Sequence, residues 1–228
     1  ISGRRPAMAA CNTIDLEYPA ATEVVVEGRF LPNEMRPEGP FGEFMGYYVP
    51  VQDNAVFEIL DVHWRENAIF HSINCGSPED MHPLNFSVAT RIYRTLQAQL
   101  PGILNVACYP NLMNTVVQIE QQYDGHARHV LLAAFAAHLD YSKSCMVVDN
   151  DVDIHSLDDV LWAYLTRGRA DKRAFIIDDM PGFYRDPHKD HWGRLAIDAT
   201  KPFDRQAEFE RKRIPGADTL DLEKYLTS

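Results

Sequence analysis

Apolar and polar positions along the 228-residue chain change period where a β-rich first third gives way to alternating helices and strands. Residues 21–30 read ATEVVVEGRF, a β-branched run closed by Gly and charge. It predicts a strand entering a Pro- and Gly-punctuated loop over 32–40. Tyr47, Tyr48, Val49 and Val51, then residues 56–62 and 68–73, predict short strands separated by Asp53-Asn54 and Glu66-Asn67 turns. Over 79–100 the period becomes helical, with Leu84, Val88, Ile92, Leu96 and Leu100 on one face until Pro101-Gly102 stops it. Strands follow at 103–107, 113–119, 145–148 and 174–177, with helices around 129–138 and over 157–166. That alternation predicts a layered unit. The charged segment 202–228 closes on Leu220, Leu222 and Leu226, which predicts a terminal helix that docks elsewhere.

Composition narrows the class. Hydrophobic content of 46% with 24% charged and 11% aromatic residues belongs to a folded, core-building chain. The formal net charge of -11 removes an electrostatic grip on nucleic acid or anionic lipid. No apolar run approaches the ~20 residues that span a bilayer, and Arg4-Arg5 leads into no apolar leader. Cys11, Cys75, Cys108 and Cys145 form no CxxC pair, so reduced, largely buried thiols and a cytoplasmic location are expected. The start at Ile1 rather than Met reads as that of a fragment, a processed product or a subunit.

The candidate chemistry centres on Glu38-Gly39-Pro40-Phe41-Gly42-Glu43. The glycines permit tight turns, and Pro40 and Phe41 stiffen a partly apolar loop that can aim both carboxylates at one cavity. A carboxyl beside Phe and a second acid has its neutral form favoured, which suits proton donation. Taken alone, the spacing equally describes solvated acids around a Gly-Pro turn. Asp149, Asp151, Asp153 and His155 suggest a Ca2+ loop or a metallohydrolase, yet Ile154 and Val160 stand where an EF-hand needs Gly and Glu. Ser156 as N-cap with Asp159 three residues on is the plainer reading. His126, His129 and His138 are read as surface or interface residues of one helix, and His188 and His191 as loop residues.

The surroundings of the acidic loop extend the pattern. Val24-Val25-Val26-Glu27-Gly28, Pro32-Asn33-Glu34, Arg36 through Phe44, and Gly46-Tyr47-Tyr48 together resemble the signature of the UbiD family of decarboxylases. The resemblance continues through Glu79-Asp80-Met81-His82, Tyr141-Ser142-Lys143 with Met146-Val147-Val148-Asp149, Asp151-Val152-Asp153, Val160 to Arg167, and Ile197 to Pro202. It implies an α+β fold with three parts. Residues 1–78 would be the carboxy-terminal part of a split, β-barrel-like domain that binds prenylated FMN. Residues 79–200 would be an α/β layered oligomerisation domain, and 201–228 a tail with a C-terminal helix.

The same resemblance implies reversible, non-oxidative decarboxylation of an aromatic or α,β-unsaturated carboxylic acid through a prenylated-FMN adduct. Loss of CO2 from an sp2 carbon needs an electron sink that side chains lack, which the cofactor provides. Glu43 would protonate the decarboxylated adduct. Glu38 would belong to a Glu-Arg-Glu network whose Arg lies upstream of this segment, as do the ligands of Mn2+; K+ is a further expected ion. Lys143 would reach the cofactor, or else is a surface lysine at a strand start. Phe183 and Arg185 would line the substrate pocket, Arg185 suiting a polar or second anionic group, or else being an exposed loop residue. Pro83, Leu84 and Phe86 are further pocket candidates. A flavin prenyltransferase would supply the cofactor, and the assembly would be a homodimer or homohexamer. The rival expectation is a non-catalytic assembly subunit lacking the flavin- and metal-binding half.

Overall fold

The computed structural model describes residues 5–187, 191–212, 214–216, 221 and 223–226. The chain divides into two compact units, Ile1–Asp80 and Met81–Ser228. Both contribute to a mixed α/β architecture with four sheets and no closed barrel among the described residues.

In the first unit, β1 (Met8–Ala10) and β2 (Glu17–Pro19) form a small hairpin. A long antiparallel ribbon joins β3 (Val24–Glu38) to β6 (Gln52–Trp64), and β4 (Phe41–Gly42) pairs with β5 (Tyr48–Val49) in the connection between them. The loop expected over 32–40 is therefore mostly strand. Its Pro and Gly signals are absorbed in an irregularity between Phe30 and Met35, where Asn33 adopts φ 59, after which pairing resumes as far as Glu38 opposite Gln52. A second register shift falls at Gly28, where any Cβ would lie 2.2 Å from the Glu58 carbonyl oxygen and 2.6 Å from the Phe57 ring. The strand expected over 68–73 forms no ladder, since those residues have no strand partner.

Helix α1 (Pro78–Gln99) opens with Ser77 Oγ accepting the Asp80 N–H at 3.4 Å and Asp80 accepting the Gly76 N–H at 2.8 Å. Its Val88, Ile92 and Leu96 are buried, as their spacing predicts. The second unit holds one mixed sheet in the order β10-β11-β9-β8-β7, built from β7 (Ile103–Cys108), β8 (Asn114–Ile119), β9 (Ser144–Asp149), β10 (Ala174–Pro181) and β11 (His191–Asp198). The two outer pairings are antiparallel and the two inner ones parallel. Every residue from Cys145 to Asp149 is buried, so both faces of the central strand are covered. Helix α2 (His126–Ala137) packs on β9 and β11. Helix α3 (Leu157–Arg167) supplies Val160 and Ala163 to a core with Val116, Met146, Val148 and Ala199.

Several expectations change here. His126 and His138 are buried rather than on a helix surface, and burial pushes both imidazoles below their ordinary range. His191 begins β11, a strand that the hydrophobic pattern did not announce; His188 lies outside the described residues. A central reason is Arg194, fully buried in that strand and donating to the carbonyls of Phe135, His138, Leu139 and Pro181. The tail forms a 3-10 segment, Phe203–Phe209, and a short helix α4 (Glu223–Leu226); Leu220 and Leu222 lie outside the described residues.

Candidate active site

The acidic loop belongs to the first unit and follows from the ribbon's geometry. Glu38 ends β3 opposite Gln52, is exposed, and accepts a hydrogen bond from Asn54 Nδ2. Gly39 at φ 106 then turns the chain, a conformation that a Cβ would strain, and delivers it into β4. Glu43 sits in the turn joining β4 to β5. Its N–H donates to the Tyr47 carbonyl and its own carbonyl accepts from Gly46, both at 2.9 Å. Its half-buried carboxylate accepts the Phe44 N–H at 3.0 Å and the Cys75 thiol at 3.9 Å, both on Oε1. Partial desolvation, then the Glu43 and Asp80 carboxylates, push the Cys75 thiol above its usual range, which keeps it a donor. The loop thus fixes Glu43 by backbone and thiol contacts, and Glu38 by a side-chain amide on the neighbouring strand.

In the second unit Lys143 immediately precedes β9. Its ammonium pairs with Asp186, whose side chain is 1% exposed, and lies 4.5 Å from the centre of the Trp192 ring. The approach of Trp192 requires Gly182, where a Cβ would fall 2.4 Å from the indole. Phe183 stands 5.4 Å from Tyr141 and 5.3 Å from Tyr184, and the Arg185 guanidinium lies 5.2 Å from the Tyr184 ring. Lys143, Phe183 and Arg185 are therefore gathered on two adjoining loops, the approach to β9 and the stretch after β10. Asp186 and Trp192 are the members that the sequence reading did not single out, because their tie to Lys143 crosses strands distant in sequence. Phe86 lines a cavity of about 300 Å³ with His82, Asn85, Cys108, Tyr109 and His155. The Cys108 thiol is pushed up to about 12 by burial, so it is inert there.

The Asp149 to His155 stretch resolves into ion pairs rather than a metal loop. Asp149 takes Arg167 Nη1 at 3.0 Å and the Lys201 N–H at 2.7 Å, while Asp151 takes Arg167 through both guanidinium nitrogens. Ser156 caps α3, but the Asp159 carboxylate turns to the Asp153 N–H and to Arg211 instead of closing a reciprocal box.

An antiparallel ribbon carrying a turn-fixed glutamate, followed by a mixed sheet with an anchored lysine at the approach to its central strand, defines a two-unit α/β protein. Residues 1–78 match the family model of the 3-octaprenyl-4-hydroxybenzoate carboxy-lyase Rift-related domain, and residues 84–199 match that of the carboxy-lyase's C-terminal domain. The chain belongs to the UbiD family. Among solved structures, it is similar to the UbiD-class enzyme HmfF of Pelotomaculum thermopropionicum in complex with FMN. The identity is 33% over 96% of this chain and 50% of that one, with a TM-score of 0.91. An evolved dimeric form of HmfF in complex with prFMN is 31% identical over 96% of this chain and 48% of that one, TM-score 0.84. Vanillic acid decarboxylase of Sedimentibacter hydroxybenzoicus, in closed form, is 28% identical over 97% and 50%, TM-score 0.77. The chain spans about half the length of the structures it matches.

Proposed function

We propose that this chain is the carboxy-terminal half of a UbiD-type carboxy-lyase that removes CO2 reversibly from an aromatic or α,β-unsaturated carboxylic acid with prenylated FMN. The observation that carries the reading is the fixed Glu43 carboxyl, whose Oε1 is occupied by the Phe44 N–H and the Cys75 thiol. With Oε1 accepting, the proton is held at Oε2 and is delivered to the carbon that has lost CO2. When bound, the prenylated flavin supplies the electron sink for cleavage of the carbon–carboxylate bond. In the carboxylating direction Glu43 takes that proton back.

The other residues bind and orient. Glu38, tied to Asn54, supports Glu43 together with an arginine from the rest of the enzyme. Lys143 fits a flavin: its side chain is one-third exposed, and the Asp186 and Trp192 contacts fix the ammonium for an anionic oxygen of the cofactor. Arg185 and Phe183 meet the substrate, Arg185 through a polar or second anionic group. Residues 1–78 act as part of the flavin-binding domain, and 79–200 as the portion through which copies assemble into a dimer or hexamer. The ligands of Mn2+ lie upstream of this chain, K+ is a further ion of the assembled enzyme, and a flavin prenyltransferase supplies the cofactor.

The test is turnover of the full-length enzyme reconstituted with prenylated FMN. Glu43→Gln should lower decarboxylation by roughly 100-fold or more while flavin absorbance is retained. Wild-type turnover in that variant would overturn the reading.

A further inference from the structure

The ribbon's register sets two carboxylates directly opposite one another. Glu27 pairs with Asp61 across β3 and β6, and His63, two residues along β6, shares their face. Like charges directly opposite destabilise a ladder, so this arrangement calls for a cation between them. Among the described residues no Lys or Arg pairs with either acid; what meets them is His63 Nδ1, 3.7 Å from Glu27 Oε1 and 3.2 Å from Asp61 Oδ2.

The three groups are held in place from outside. Glu27 is 1% exposed, its Oε1 accepting the Asn12 N–H at 2.7 Å and its Oε2 accepting the Thr13 N–H at 2.7 Å and the Thr13 hydroxyl at 2.6 Å. Burial works against its charge, but those donors outweigh it and lower its pKa. Asp61 is also lowered, chiefly by the Asn12 side-chain amide at 2.9 Å, so both acids stay anionic. His63 Nε2 lies 3.2 Å from the Tyr18 hydroxyl, which orients the ring and leaves Nδ1 facing the carboxylates. An outer hydrogen bond on the far ring nitrogen is the usual companion of a metal-bound imidazole. The 3.2 Å nitrogen–oxygen separation falls within the spacing, roughly 3.0–3.4 Å, of two ligands on one ion with bonds of about 2.1 Å, and the 3.7 Å separation closes to it by a shift of a few tenths of an ångström. Asp61 and His63 remain partly exposed, which leaves water room to complete the shell.

We propose that Glu27 Oε1, Asp61 Oδ2 and His63 Nδ1 bind a divalent first-row transition ion of the zinc type. Asn12, now donating its amide to Asp61 and His63, turns its amide oxygen toward the ion. Nitrogen together with carboxylate oxygen selects such an ion over Mg2+ or Ca2+. The hydrogen bonds among Asn12, Asp61 and His63 can hold the cluster together without an ion, and the experiment separates the two.

Zn2+ is titrated calorimetrically into the full chain near neutral pH, with Mg2+ as the contrast. The expected result is one saturable Zn2+ site that raises the thermal midpoint, with affinity falling at least about tenfold in Asp61→Asn and in His63→Gln. Tyr18→Phe, which frees the ring without removing a ligand, should give a smaller fall. No saturable Zn2+ binding, or wild-type affinity in Asp61→Asn and His63→Gln, would overturn the site. If either variant loses the ribbon by far-ultraviolet circular dichroism, Co2+ on the wild-type chain decides. Visible d–d bands at one equivalent support the site, and their absence overturns it.

Discussion

The two units differ in what holds them. In the second, Val117, Ile119, Val130, Leu131, Val147 and Val148 are no more than 1% exposed, and strands and helices bury one another. In the first, among the described residues Val49 is the sole buried apolar side chain, while Phe30, Ile59 and Trp64 are 60–68% exposed. Its centre is instead polar: Glu27, held by Asn12 and Thr13. A two-stranded ribbon gains little stability by itself, and the apolar side chains on this one are left in water in this chain. The second unit therefore carries stability, and the first presents a loop and a surface.

The largest expected effect lies in the second unit. Arg167→Ala takes the guanidinium from the buried Asp149 and leaves Asp151 with Lys201 alone, a broken buried pair worth about 3–5 kcal/mol. Urea unfolding followed by tryptophan fluorescence measures it; a loss below 1 kcal/mol would show that Lys201 alone compensates both acids. Leu131→Ala, at a fully buried site on α2, should cost about 2–5 kcal/mol in the same measurement.

How legible each unit was follows the same division. Helix α1 could be read because Val88, Ile92 and Leu96 meet its core at the period the backbone imposes, and Ser156 could be read because a cap acts within three residues. Strand β11 could not, because Arg194 at its middle reads as solvent-facing. Its burial depends on four carbonyls from α2, the turn after it and β10. The run of β3 through Pro32 and Pro37 was equally hidden, since the turn signals proved to be a local irregularity in a ladder set by β6. Of the candidate site, Glu38, Glu43 and Lys143 are proposed from motif alone, whereas Asp186 and the Glu27, Asp61, His63 face depend on register and distant pairing.

Acid sharpens the contrast. Burial alone would raise Asp151, but hydrogen bonds from Arg167 and Lys201 prevail and lower it to about 2. A carboxylate whose folded value lies below its unfolded value of about 3.9 stabilises fully above that pH and loses its contribution as the pH falls through about 2. The loss is about 2 kcal/mol. Urea midpoints taken between pH 5 and pH 2 should fall more steeply for the wild type than for Asp151→Asn. Parallel slopes would place the acid sensitivity elsewhere.

The smallest effect tests the first unit. Ile59 lies opposite Gly28 on β6 and is 60% exposed, so Ile59→Thr keeps the β-branched shape and removes apolar surface that is already in water. The change in unfolding free energy of this chain should stay within about 0.5 kcal/mol, with improved solubility. Ile59 and Leu131 are isomeric aliphatic side chains, one in water on a strand and one fully buried on a helix. A cost near 2 kcal/mol for Ile59→Thr would therefore mean that the ribbon's face is packed in the isolated chain. Near-neutrality there, beside a large loss at Leu131, would mean that an aliphatic side chain carries stability in the second unit and not in the first.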